Sequence, residues 1–345
     1  SGLPVTSIAL AHIDNQFVYP GDGNYDGLLV ENDLTEEAES LRQPVVDLVH
    51  KAREAVTGPM PEVPVGGQCT KPYECQFIKH CWPTDTEYPV TGLGGGRAKL
   101  GTLVAAGCRD IRDVGIEDIS AESQQRIHRV TCSGEAEVLD GAREAFEALA
   151  YPRYYLDFET IGPAVPFWAG TRPYQTIPIQ WSCHIEEQGG DIRHVEFLDL
   201  SGEPPMRALA EALIDCLGSD GPVLMWTNYE EGCIRQLIAL FPDLEQPLQA
   251  IIDRLYDLHP VVKANYYHPQ QLGSWSIKAV LPSVAPHMNY AELEGIAQGM
   301  AASDGFIEAI APETTVERKA ELEEQLLRYC KFDTEAMVEV VRFFS

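Results

Sequence analysis

Apolar and polar positions alternate with period two through Tyr154–Thr160, YYLDFET, and predict a strand. One face of that strand presents Leu156 and Phe158, whereas the other presents Asp157 and Glu159 where a core strand would present Val or Ile. After a stiff loop containing Pro163, Pro166 and Trp168, the pattern predicts strands over 177–186 and 192–199, a helix over 204–217, a strand over 222–227 and a helix over 229–241. Three strands followed by helix, strand and helix make an α/β domain with a mixed sheet flanked by helices. Near the end, Glu317–Phe344 reads as one long amphipathic helix with Leu322, Leu326, Met337 and Val340 on its buried stripe. Tyr329 and Asp333 fall on the same stripe, one turn apart.

The first 150 residues are less regular. VTSIALAHID predicts a strand and Thr35–Val56 a helix, separated by the loop YPGDGNYDG. A strand and a helix cannot bury a core, so this opening reads as the end of a larger domain. Residues 91–150 read as a helical connector, with a Gly-rich turn and two short helices that carry Arg97, Lys99, Arg109 and Arg112. No strand leads into those glycines and no Lys-Ser/Thr follows, which excludes a phosphate-binding P-loop. Val138–Leu149 predicts a helix with Leu139, Ala142, Phe146 and Leu149 inward. Beyond the middle of the chain, NYYHPQQLGSWSIKAVLP reads as a loop opening a helix with Lys278 at its start, and 291–315 as helix plus loop.

Composition narrows the class. A chain of 345 residues predicts two or more units, and no apolar run approaches a membrane span. Nine scattered cysteines, an odd number, fit a soluble protein of the reducing cytoplasm better than a disulfide framework. Against 25 Lys and Arg stand 53 Asp and Glu, a net charge of −28, which opposes a general nucleic-acid binder and implies weak affinity or help from another segment.

Two groups of residues carry candidate chemistry. Asp157 and Glu159 are either solvated strand acids or a pair whose repulsion a divalent cation relieves. In WTNYEEGCIRQL, Asn228 is placed as the N-cap with Glu231 as its capping-box partner, which leaves Glu230 free for chemistry; Asp257 in RLYDLHP is the rival acid. Separately, Cys69, Cys75 and Cys81 stand at equal spacing in CTKPYECQFIKHCW and suggest zinc or iron-sulfur ligation, with His80 adjacent, or three reduced structural cysteines.

The acid pair of LDFET and the Tyr-x3-Asp of YCKFD resemble the DEDDy branch of the DnaQ-like 3′→5′ exonucleases, which includes RNase D. The resemblance spans roughly residues 151–345 and implies an RNase H-like mixed sheet. It also implies two Mg²⁺ or Mn²⁺ held by Asp157, Glu159, Glu230 and Asp333, with Tyr329 orienting the attacking water. Glu230 is a departure, since most members use Asp there, and the resemblance makes Asp257 a supporting residue or alternative ligand. The stretch around Lys278 is similar to the serine-and-leucine-containing one preceding the last helix in RNase D-like enzymes; Lys278 itself either meets a substrate phosphate or, as a lone Lys at a helix start, faces solvent. The cysteine segment resembles the C-terminal end of RecB-like PD-(D/E)XK nucleases, where three such cysteines and one upstream hold a [4Fe-4S] cluster; no Cys precedes Cys69 here. The implied order is a nuclease remnant at 1–90, the connector at 91–150 and the exonuclease-like domain at 151–345. It is similar to bacterial fusions whose second half is a domain of unknown function, acting on single-stranded or 3′-ended DNA or RNA beside an upstream nuclease domain, in repair or defence. The competing expectation is a non-catalytic nucleic-acid-binding or scaffold module that serves the adjoining nuclease.

Overall fold

The computed structural model describes residues 5–293, 295–296 and 298–345; Glu294 and Ala297, within the segment expected to be helix plus loop, lie outside the described residues. Packing divides the chain into two units, residues 1–64 with 162–175, and residues 65–161 with 176–345. These units of packing cut the chain at other places than the domain boundaries expected at 90 and 150.

In the first unit, strands β1 (Ala9–Ile13) and β2 (Leu29–Asp33) form an antiparallel hairpin. The expected strand is shorter at its start because the partner ends at Asp33, and Ile8 instead donates its N–H to Thr35 Oγ1. The helix expected over 35–56 is two, α1 (Thr35–Ser40) and α2 (Arg42–Thr57). Pro44 explains the break: it has no N–H for the Ser40 carbonyl, and its ring clashes with that carbonyl in a continuous helix. The loop 162–175 packs here. Gly170 N–H donates to Tyr19 O at 2.8 Å, Tyr25 Oη to Pro166 O at 3.1 Å, and Trp168 is buried.

The second unit begins with the short helix α3 (Ile78–Cys81), followed by α4 (Arg97–Ala105), α5 (Glu122–Ser133), strand β3 (Glu137–Val138) and α6 (Asp140–Glu147). Two expectations need correction. The second short helix after Gly107 is a single 3₁₀ turn, Ile111–Asp113, held by the Asp110 carboxylate on Arg112 N–H. The helix expected from Val138 starts at Asp140, because Glu137 and Val138 pair with a later strand and Leu139 N–H is taken by Asn265 O, leaving Leu139 exposed.

The sheet follows as β4 (Arg153–Ile161), β5 (Ile177–Glu186), β6 (Ile192–Leu198), α7 (Met206–Leu217), β7 (Val223–Met225), α8 (Tyr229–Leu240), α9 (Glu245–Ile252) and β8 (Leu255–Asp257). Then come α10 (Leu258–Asn265), β9 (Tyr266–Tyr267, the partner of β3), α11 (Ile277–Val284), α12 (Gly299–Ile310) and α13 (Val316–Phe344). Spatial order is β6-β5-β4-β7-β8, antiparallel across the first three strands and parallel from β4 to β8. This is the mixed, helix-flanked α/β sheet expected from the element order.

The two faces of the sheet differ. Leu156, Phe158, Trp181 and Cys183 point to an apolar face that α7 covers, with Trp181 Nε1 donating to Leu209 O at 3.2 Å. Tyr155, Asp157, Glu159, Gln180, Ser182 and His184 point to the other, which α13 crosses. The connector is continuous with this core: Trp82, Leu93, Ile111 and Ile127 are buried in the same cluster as Val340 and Phe344 of α13. Among the described residues no helix is long and apolar enough to cross a membrane.

Candidate active site

The site lies where β4, the start of α8 and the middle of α13 meet. Period-two geometry aims Asp157 and Glu159 under α13, and the one-turn spacing on that helix aims Tyr329 and Asp333 back at them. Glu159, Glu230 and Asp333 are buried and Asp157 is half-buried. Ligand atoms of Asp157, Glu159 and Cys330 lie within 4.8 Å of one another. Asp157 and Glu230 are close enough to perturb each other's ionisation. The sequence-predicted Asp157, Glu159, Glu230, Tyr329 and Asp333 are therefore neighbours, drawn from positions up to 176 residues apart.

Electrostatics follow from four acids in little water. Burial, then repulsion from Asp333, Glu159 and Glu230, pushes Asp157 well above the carboxylate range. Glu159 is pushed up to about 8 by burial and then by Asp333, with Lys278 pulling the other way. Burial likewise takes Glu230 to about 8. Asp333 rises only to about 6, because hydrogen bonds from Tyr290 and Tyr329 and the charge of Lys278 oppose its burial. Lys278 Nζ donates to Tyr329 Oη at 3.1 Å and stands 4.9 Å from the Tyr290 ring centre and 5.1 Å from that of Tyr329. Expected as a helix-start lysine with a possible phosphate role, it supplies a cation at the acid site.

The third-acid question has a geometric answer. Asp257 caps α10, with Oδ1 accepting the N–H groups of Thr227 at 3.0 Å and His259 at 2.9 Å. It thereby pins the turn before α8, in which Thr227 adopts φ +79°, a costly conformation for a β-branched residue. Glu230 reaches the acids instead, and its Oε2 is buried without a hydrogen-bond partner. The expected capping box is not formed. Asn228 makes no side-chain cap bond, and Glu231 turns outward to Arg235 at 2.6 Å.

Two neighbours escaped the sequence reading. Tyr290 donates to Asp333 Oδ1 from a single 3₁₀ turn, Tyr290–Glu292, where neither periodicity nor a motif marks it; only Asn289, which caps the turn, was a local signal. Cys330 Sγ lies 3.8 Å from Asp157 Oδ2, and as the residue between two conspicuous ones it read as core.

The donor set fits a hard divalent cation. Carboxylate oxygens converge, repel one another and leave one oxygen orphaned, conditions that a bound cation relieves. Cys330 does not join that set: burial and the adjacent acids keep its thiol protonated, and a thiol is a poor ligand for Mg²⁺ or Mn²⁺.

The cysteine segment is different. Cys69, Cys75 and Cys81 are free thiols, with Cys75 N–H donating to Cys69 O at 2.8 Å, and among the described residues they form no group of three converging ligand atoms with each other or with His80. Of the connector's bases, Arg109 pairs with Asp85, Arg112 with Asp110 and Glu87, and Arg97 lies over the Trp82 ring; Lys99 reaches only Gln124, at 3.5 Å.

Comparison with known proteins bears on part of this region. No curated protein and no solved structure matches the chain. Residues 154–276 match the profile of a domain of unknown function, DUF2779, a stretch that takes in Asp157, Glu159, Glu230 and Asp257 and stops short of Lys278, Tyr329 and Asp333.

Proposed function

We propose that the protein is a metal-dependent 3′→5′ exonuclease that hydrolyses phosphodiester bonds of DNA or RNA. The observation that carries this reading is a buried cluster of four mutually repelling carboxyls from three elements, in which oxygens of Asp157 and Glu159 lie within 4.8 Å of each other and a Glu230 oxygen is buried with nothing in the chain to satisfy it. A scaffold has no use for such a cluster. Two Mg²⁺ or Mn²⁺ held by Asp157, Glu159, Glu230 and Asp333 would supply Lewis acidity at the scissile phosphate and lower the pKa of a bound water.

The chain's own residues supply the rest. Burial, then the charges of Asp333 and Glu159, holds the Tyr329 phenol protonated; its oxygen accepts from Lys278 and its proton is directed at Asp333, which leaves the oxygen's other lone pair for a water. A hydroxyl fixed in this way orients an attacking water. Lys278 brings positive charge to where a phosphoryl oxygen gains negative charge. Tyr290 fixes Asp333, and Asp257 fixes the turn that aims Glu230.

Incubation with 3′-labelled single-stranded DNA and RNA in Mn²⁺ tests the reading. Release of nucleoside monophosphates from the 3′ end is expected. Failure to cleave either polymer would transfer the function to a nucleic-acid-binding or scaffold role beside a RecB-like nuclease domain. Whether Cys69, Cys75 and Cys81 hold a [4Fe-4S] cluster in a chain that supplies an upstream cysteine belongs to the same proposal, with iron and sulfide analysis as its test.

A further inference from the structure

A cleft of about 860 Å³ lies within the second unit, lined by the connector on one side and by the ends of β7, α10 and the loop into α11 on the other. Lys99, Lys263 and Lys278 line it and no carboxylate does, in a chain with 53 acids to 25 bases. Lys99 and Lys263 are exposed and, among the described residues, belong to no ion pair. Trp226 and Trp275 add aromatic surface. Lys263 Nζ stands 5.4 Å from the Trp275 ring centre, and Trp226 Nε1 is buried without an acceptor. Two exposed lysines outside any ion pair, with Lys278 beside them and no acid in the lining, call for an anionic occupant.

Shape and continuity narrow the occupant. The cleft adjoins the acid site at two points without including an acid: Lys278 lines it and donates to Tyr329, and Trp226 and Thr227 line it just before Glu230 in the chain. Ser123, Lys263 and Trp275 are shared with a second hollow of about 610 Å³, where Arg126 and Arg129 are both paired with Glu137 and Glu122 adds a further acid, so the unpaired positive charge is confined to the first cleft. The cleft runs from residues of the connector to Lys278, which adjoins the acid site. Its walls are locked together: at Gly273, φ +83°, an added Cβ would stand 1.7 Å from Gly92 O of the connector. Three lysines with no acid among them, beside the half-buried Trp226 ring, are the arrangement that grips a single strand, chiefly by its phosphates and with one ring for stacking; Trp275 is buried beneath Lys263.

We propose that this cleft carries single-stranded nucleic acid, with phosphates on Lys99 and Lys263 and the 3′ end delivered past Lys278 to the acids. The connector is thus half of the binding surface. Delivery of the 3′ end rests on the exonuclease reading; binding of the strand does not. The proposal also gives a place for affinity on a protein whose overall charge repels nucleic acid.

The test uses the full chain, 5′-fluorescein 12-mers of single-stranded DNA, RNA and duplex, and anisotropy in Ca²⁺ at several salt concentrations. Binding of either single strand above duplex is expected. Lys99→Glu/Lys263→Glu should weaken it by roughly 30-fold or more and flatten the dependence of log K on log salt by about 1.4, two phosphates at about 0.7 each. The same charge change at exposed Lys51 and Lys71 controls for net charge and should cost far less. A thermal melt of each variant establishes that it is folded. Equal losses in the two double variants, or a parent that binds no single strand, would overturn the cleft. If the parent binds through Lys99 and Lys263 yet cleaves nothing in Mn²⁺, the cleft stands and the exonuclease reading falls. If the parent cleaves 12-mers and the cleft variant does so with unchanged KM, the exonuclease stands and the cleft falls.

Discussion

Two buried polar clusters sit side by side under α13 on the same face of the sheet. Asp157 and Ser182 are register partners on β4 and β5, yet one belongs to a cluster that is electrostatically unfinished and the other to one that is complete. In the second, Ser182 Oγ meets His194 Nε2 at 2.8 Å and Thr334 Oγ1 at 2.9 Å, and Thr334 Oγ1 meets His184 Nδ1 at 2.8 Å. Each of these four side chains has a partner, and burial holds both imidazoles neutral. In the first, like charges face one another and a Glu230 oxygen has nothing. Buried polarity alone therefore says little about function; what distinguishes a site is polarity that its own chain does not satisfy.

The comparison is broken most directly at Asp157. Asp157→Asn removes a carboxyl that burial and its neighbours force to take up a proton on folding, so the metal-free protein should melt higher than the parent at neutral pH, whereas the gain in Tm that Mn²⁺ gives the parent should vanish. Cleavage should fall roughly 10³-fold or more, since ligands that act as a unit fail together. A variant that kept the parent's Mn²⁺ response would remove Asp157 from the metal set. Tyr329→Phe is the next largest. The ring stays packed while the hydroxyl is lost, so metal binding should persist and kcat fall by roughly 10²–10⁴-fold. Equal cleavage by Tyr329→Phe and parent would assign the water to another group.

Much of this site was legible beforehand, for a physical reason. Asp157 and Glu159 broke a strong strand pattern, and Tyr329 and Asp333 broke a strong helix pattern, so each stood out against a prediction that the structure matches to within a few residues. Glu230 was found by elimination, although the capping box used to eliminate Glu231 is absent. Tyr290 lies in a segment with no pattern to break. The satisfied cluster was invisible because Thr334 lies 152 residues from Ser182 and 150 from His184, and nothing local to the strand or the helix links them. The cleft was illegible too, because the loop leading into α4 with the first turn of that helix, residues 94–99, and the loop leading into α11 with its first residues, 273–278, share a surface only through tertiary packing.

Titration sharpens the comparison, since the two clusters have opposite signs. His184 and His194 fall to about 4 from an unfolded value of 6.5, chiefly through burial, so the unfolded chain binds their protons first. Their contribution is present above pH 6.5 and is lost as pH falls toward 4. Glu159 and Glu230 rise to about 8 from 4.5, so their contribution is present below pH 4.5 and is lost as pH rises through 8. Between pH 6.5 and 8 the metal-free protein should therefore lose stability with rising pH, and saturating Mn²⁺ should abolish the slope. Denaturant melts across pH 5–9, with and without Mn²⁺, read this out; a rising metal-free stability over that window would contradict the assigned acid cluster.

The smallest effect separates the clusters most cleanly. Thr334 is adjacent to Asp333 in sequence, but its hydroxyl serves the satisfied network, where it is shared by Ser182 and His184. Thr334→Val keeps the shape and removes the hydroxyl, leaving His184 Nδ1 and one bond of Ser182 without a partner in a buried setting. Leaving such a group unsatisfied costs about 1–3 kcal/mol. Because no charge and no metal ligand changes, that loss should be the same with and without Mn²⁺, and the Mn²⁺ gain in Tm should match the parent's. Chemical denaturation of parent and variant in both conditions forms a four-point cycle whose coupling should be near zero. A coupling above about 0.5 kcal/mol would mean that the histidine network tunes Asp333 through α13, and the division into a finished cluster and an unfinished one would have to be replaced by a single coupled site.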